Sequence, residues 1–251
     1  MIMQRATGRP HRALFLFFLI VLLWPPVNGT AGMVLRYSLT SQSHSSSIEE
    51  TLYTIFLQGY SVRIEETSIP STGSERRYIL YDCRTGRLCR VVPKHKAFSC
   101  QKIGKMALQY TVALSKLVPT ADTEFFSGYR ARRYILKDRA ATMELWLSRD
   151  LSTAIIKETS PTVLQKLSAI MQKTIDNKIR TVLGQVGDKG WTVALREGRP
   201  YDRKGKKQYA ATITLISAEK RKLPPAMFNL PQGYRQAIIP GRQPINNLPR
   251  P

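Results

Sequence analysis

Ser160-Pro161-Thr162-Val163-Leu164-Gln165-Lys166-Leu167 opens a stretch, running on to Gly184, whose apolar residues recur at helical spacing. Val163, Leu164, Leu167, Ile170, Met171, Ile175, Ile179 and Val182 fall at three- and four-residue steps, with Gln165, Lys166, Lys173 and Asn177 elsewhere on the wheel. Ser160 is a suitable N-cap, Pro161 occupies the first helical position, and Gly184 supplies a glycine stop. The pattern predicts one long amphipathic helix.

Outward from this helix the dominant period is two. Met33–Thr40 reads as a strand, and Thr51–Leu57 with Ser61–Glu66 as a hairpin around Gly59. Ser68–Ser74 is a loop, and Arg77–Asp82, Leu88–Val92 and Ala97–Lys102 form a meander of short strands. Residues Gly104–Lys116 fit a strand or a short helix equally well. Tyr129–Leu136 and Thr142–Ser148 make a further pair, and Trp191–Leu195 with Gln208–Ser217 a last hairpin through the basic tip Asp202–Lys207. One helix cannot cover two faces of about ten strands. The arrangement that buries its stripe is α+β and mostly β, a curved antiparallel sheet, an unclosed β-barrel, wrapped around the helix.

The termini are read apart from this domain. Arg5, Arg9 and Arg12 precede an apolar run of 12 residues, Ala13–Trp24, which Pro25 and Pro26 end. That run is short of the roughly 20 residues a membrane span requires. With Gly29, Ala31 and Gly32 offering cleavage after Gly29 or Ala31, residues 1–31 read as a cleaved signal peptide. No Cys follows closely enough for lipid attachment, so the expected product is periplasmic or secreted and not lipid-anchored. Residues 33–236 then form a single domain, and 237–251 a Pro-rich, disordered tail.

The 39 Lys and Arg against 17 Asp and Glu leave a net charge of +22, of which the leader carries little. Outside the cytoplasm genomic nucleic acid is not a partner for that charge, whereas an anionic membrane surface or cell-wall polymer is. Scattered cations also simply solubilise an exported chain.

Three cysteines, Cys83, Cys89 and Cys100, sit in one stretch of a chain expected in an oxidising compartment. Pairing Val92 with Ala97 across the Pro93–Lys96 turn sets Val91 opposite Phe98 and Cys89 opposite Cys100, as a disulfide requires. Cys83 lies beside the Thr85-Gly86 turn and is the alternative partner for Cys89 if that hairpin closes through a longer loop.

Two sites follow from these elements. Alternation in Thr142–Ser148 turns Met143, Leu145 and Leu147 to one face, opposite Leu164, Met171 and Ile175 on the helix, a groove suited to an acyl chain. The same residues also make an ordinary core. Trp146 points away, where packing on the surface is expected. Arg130, Arg132 and Arg133 with Lys204, Lys206 and Lys207 are the candidate anionic-surface site. No catalytic set emerges: His44 and His95 lack a nearby nucleophile and orienter, and adjacent Glu49-Glu50 and Glu65-Glu66 point to opposite faces of strands. Gly104-Lys105 and Gly205-Lys206 lack the glycine spacing of a phosphate loop, and no zinc-ligand spacing is present. No enzyme activity, cofactor or metal is expected.

The order of short motifs carries a resemblance. Phe56-Leu57-Gln58-Gly59-Tyr60-Ser61-Val62-Arg63-Ile64-Glu65, Tyr81-Asp82 before Thr85-Gly86, Gly128-Tyr129, Glu144-Leu145-Trp146-Leu147-Ser148 and Met227-Phe228-Asn229-Leu230-Pro231-Gln232-Gly233-Tyr234 resemble an uncharacterised family of exported bacterial proteins. That family is grouped with the LolA/LolB-like lipoprotein carriers, and the resemblance extends from about Val34 to Tyr234. It implies an unclosed barrel plugged by helices and a non-enzymatic, monomeric carrier or binding protein for a lipid or lipoprotein. The chain departs from the pattern at Ala131 and Arg132, where many relatives have a Cys, so that family disulfide does not transfer. No Arg here matches the one that holds the carriers' lid. The competing function is an envelope protein that uses its basic surface on an anionic polymer or membrane.

Overall fold

The computed structural model describes residues 30–42, 48–69, 77–103, 117–137, 142–164, 166–167, 185–199 and 208–237. The strands are β1 (Thr30–Gln42), β2 (Ile48–Gln58), β3 (Ser61–Ile69), β4 (Arg77–Asp82), β5 (Arg87–Val92), β6 (Ala97–Lys102), β7 (Leu117–Phe126), β8 (Tyr129–Lys137) and β9 (Thr142–Ser148). The helix α1 (Arg149–Glu158) follows, then β10 (Gln185–Val186), β11 (Gly190–Arg199), β12 (Gln208–Leu223) and β13 (Arg235–Gln236).

Hydrogen-bonded neighbours run β13, β6, β5, β4, β3, β2, β1, β12, β11, β9, β8, β7, with β10 beside β11. The first strand is therefore central, pairing Leu35 with Ile55 on β2 and Tyr37 with Leu215 on β12. The sheet is unclosed, as expected, because β7 and β13 end the order. It curls at the β7 end, where the Ser127 hydroxyl donates to the Ile216 carbonyl of β12 at 2.6 Å. Thr30 and Ala31 pair with Leu223 and Lys222, so β1 begins within the segment read as leader. A cut after Gly29 leaves this strand whole; a cut after Ala31 removes its first two residues.

One face of the sheet is apolar from β1 through β12. Leu35, Tyr37, Ile55, Ile64, Tyr81, Leu88, Leu145, Leu195 and Ile213 belong to a single buried cluster with Leu151 and Ile155 of α1. The helix α1 precedes the helix expected from Ser160 and is additional to it. Its N-cap is Ser148, whose hydroxyl accepts from the Leu151 amide at 3.2 Å, and Asp150 lies in its first turn.

The expected helix is observed in part. Residues 161–164 and 166–167 are helical, Ser160 accepts the Thr162 amide through its hydroxyl at 3.3 Å, and Val163, Leu164 and Leu167 enter the cluster. The remainder, through Met171, Ile175 and Gly184, lies outside the described residues. Thr159 and Ser160 are not helical and separate this piece from α1.

The opposite face of β4–β6 is also covered. Tyr78, Leu80, Cys89 and Val91 pack with Phe98, Cys100, Leu230 and Tyr234. The chain after β12 is a strap across this face: Arg63 stacks on the Tyr78 ring at 3.8 Å and donates to the Met227 carbonyl at 2.8 Å. Residues Arg235 and Gln236 then pair in parallel with Ala97 and Phe98 of β6. Beneath the strap Cys89 and Cys100 are disulfide-bonded in the expected register. On the chain-entropy model so short a loop stabilises by roughly 2–3 kcal/mol.

Cys83 is a free, buried thiol, and burial pushes its pKa up to about 12. The thiolate that alkylating reagents attack is therefore scarce in the folded state. Iodoacetamide at mildly alkaline pH should leave the native protein unmodified and label Cys83 once the unreduced chain is unfolded. Labelling of native and unfolded protein at one rate would contradict the burial.

Candidate functional site

The helix-bearing face holds the residues of the expected groove. Met143, Leu145 and Leu147 on β9 are 7%, 0% and 2% exposed, and Leu164 is 3% exposed. Cross-strand partners bracket them: Leu145 lies opposite Tyr134 on β8 and Leu195 on β11. The structure thus brings these four into one close-packed cluster. Met171 and Ile175 fall outside the described residues.

A buried polar spine crosses that cluster. The Trp191 indole N–H donates to the Tyr37 hydroxyl at 2.7 Å, which donates in turn to the Thr192 carbonyl at 3.0 Å. Burial raises the Tyr37 pKa, keeping the phenol a donor. The spine satisfies the polar ends of two large side chains whose rings fill the interior.

The cover over this face is anchored at the β2–β3 turn. Gly59, at φ 52° in the β2–β3 turn, donates to the Glu158 carbonyl at 3.2 Å and accepts from the Ser160 amide at 2.8 Å. These bonds hold the end of α1 and the start of the next helical piece. Beyond them Val163 and Leu167 make apolar contact, and Lys166 reaches the Cys83 carbonyl at 3.3 Å.

Trp146 departs from its expected surface position: it is 6% exposed, with its ring 5.6 Å from that of Phe126. Glu144 beside it is 3% exposed. Both faces of β9 are buried, because the β7–β8 hairpin folds over the side that strand alternation assigned to solvent.

Of the expected basic site, the structure describes the three arginines. Arg130 and Arg132 are exposed, whereas Arg133 binds Asp122 at 2.9 Å and buried Glu144 at 3.0 Å. The Asp122 hydrogen bond foremost, and then Glu144, raises the Arg133 pKa. Its charge is spent on a structural pair, since a buried carboxylate requires a partner. Lys204, Lys206 and Lys207 lie outside the described residues. An open depression of about 420 Å³ lies at the end of β6, lined by Thr85, Arg87, Cys100, Gln101, Lys102 and Gln236, away from the helix-bearing face.

A family profile described as a domain of unknown function (DUF4412) matches residues 37–234. The chain belongs to that family. No curated protein matches it. Two structures of PNGF-II, in space groups C2 and P21, are similar at TM-scores of 0.40 and 0.39 and 11% identity, covering 83% of this chain and 31% of that one. The chain therefore spans under a third of PNGF-II. A domain from Vibrio parahaemolyticus described as an outer membrane lipoprotein-sorting protein is similar at a TM-score of 0.22 and 11% identity, covering 79% of this chain and 89% of that one. Such loose likenesses carry no argument about the site.

Proposed function

We propose that the protein is an extracytoplasmic, non-catalytic binding protein that takes the acyl chain of a lipid or lipoprotein against the helix-bearing face of its sheet. The observation that carries this reading is the division of the cover at Gly59. The helix α1 is anchored there, and on the piece from Pro161 the buried Val163, Leu164 and Leu167 pack into the apolar cluster. An acyl chain can replace apolar contacts of that kind without leaving a buried polar group unpaired. Flexible Met143, and Met171 on the predicted continuation, adapt to ligands of mixed shape. The Cys89–Cys100 disulfide supports an oxidising compartment, in keeping with the signal peptide read from residues 1–31.

Two variants test the reading. Leu167, fully buried near the anchor, should cost roughly 2–5 kcal/mol as Leu167→Ala. Met171→Ala should cost less than about 2 kcal/mol, below the packed-core range, while changing uptake of a hydrophobic dye. Equal, large losses at both positions with unchanged dye uptake would mean that the stretch merely plugs the sheet.

A further inference from the structure

Tyr60 and Ile156, each 45% exposed, come from distant parts of the sequence. The bonds of Gly59 to Glu158 and Ser160 hold the turn carrying Tyr60 against the end of α1 that carries Ile156, which places both at one rim. Three cations lie on the elements that meet here. Arg84 lies with its guanidinium carbon 5.4 Å from the Tyr60 ring, and Lys157 is exposed on α1. Lys222 is exposed near the end of β12, which Gln58 draws to the same turn by donating to the Leu223 carbonyl at 3.0 Å. Two acids lie nearby: Glu158 is paired with Lys220, and Asp82 is 3.8 Å from Arg84 and accepts from the Thr85 hydroxyl.

Single exposed apolar residues are ordinary on a protein surface. An aromatic and an isoleucine on two elements bonded to each other, with Arg84, Lys157 and Lys222 at the same turn and helix end and a net charge of +22, form a different kind of surface. We propose that this rim docks on an anionic lipid bilayer, with Tyr60 and Ile156 at headgroup depth and Arg84, Lys157 and Lys222 against the phosphates. A phenol ring suits that depth, with an apolar body and a polar tip, and each cation near an anionic surface adds attraction that salt screens. A soluble polyanion would engage the cations and gain nothing from Tyr60 or Ile156, which is why the bilayer is the partner assigned. The proposal needs no ligand inside the sheet and stands whether or not one binds there.

Cosedimentation with vesicles of phosphatidylcholine, alone and mixed equally with phosphatidylglycerol, tests it. The wild-type protein should pellet with the mixed vesicles, not with the zwitterionic ones, and should be released by high salt. The double variant Tyr60→Ser/Ile156→Ser should partition roughly tenfold more weakly, with an unchanged Tm and unchanged retention on immobilised polyphosphate. Tyr60→Trp should partition more strongly, since indole is the better interfacial ring. Arg130→Gln/Arg132→Gln, placed on β8, should behave as wild type. Absence of wild-type binding to mixed vesicles would overturn the proposal. So would an unchanged partition of the serine variant, or an equal loss in the Arg130/Arg132 variant.

Discussion

Gly190→Ala should lower unfolding stability by about 3 kcal/mol or more. The residue sits at φ +125°, and a Cβ there would lie 2.6 Å from the Ser148 carbonyl carbon and oxygen and 2.8 Å from the Arg149 amide nitrogen. An L side chain in such a conformation costs about 1–3 kcal/mol, and overpacking against backbone that cannot give way adds a similar amount. The collision falls where β9 becomes α1, since Ser148 is both the last residue of that strand and the N-cap of the helix. Gly59→Ala is the matched control: its φ is also positive, at +52°, but nothing lies within 4 Å of the added carbon. That variant should lose only about 1 kcal/mol. Equal losses in denaturant melts of the two would contradict the close approach of β11 to the start of α1.

Arg133→Met should cost about 3–5 kcal/mol, because it strips the guanidinium from a Glu144 side chain that is only 4% exposed. Adding Glu144→Leu should return stability to within about 1 kcal/mol of the wild type, as apolar replacement of a buried pair commonly does. Asp122 pairs with the same arginine but is 53% exposed, so Asp122→Asn should cost under about 1 kcal/mol. A small loss for Arg133→Met, or a double variant as unstable as the single, would show that the pair does not pin the β7–β8 hairpin onto β9.

What the sequence revealed, and what it hid, follows from how local each signal is. Arg77–Asp82, Ala97–Lys102 and Thr142–Ser148 are legible to the residue because turn chemistry brackets them. The same hairpin register placed Cys89 opposite Cys100. Strand β7 left no such trace: its ends, Leu117 and Phe126, are buried while most of the residues between are exposed, and its register shifts between Pro119 and Thr123. Pro and an irregularity are how an edge strand avoids pairing with other chains, and they erase alternation.

Helix α1 did carry signals, in Ser148 as N-cap, Asp150 in the first turn, and Leu151 and Ile155 four residues apart. The preceding strand claimed Ser148 and masked them. Trp146 was misplaced because alternation assumes one open face, and the hairpin that closes the other arrives from β7 and β8. Strand order was equally hidden, since β1 meets β12 across nearly the whole chain. Of the candidate site, Met143, Leu145, Leu147 and Leu164 could be grouped by periodicity, but the Gly59 anchor depends on a contact between residues a hundred positions apart.

The central claim, that an acyl-bearing ligand occupies the helix-bearing face, is tested most directly by native mass spectrometry of the protein purified without detergent from its own cell envelope. The account predicts a polypeptide mass raised by a discrete, lipid-sized increment that is lost on organic extraction, after which the protein takes up hydrophobic dye. A protein at bare polypeptide mass that takes up no dye before or after extraction would contradict it.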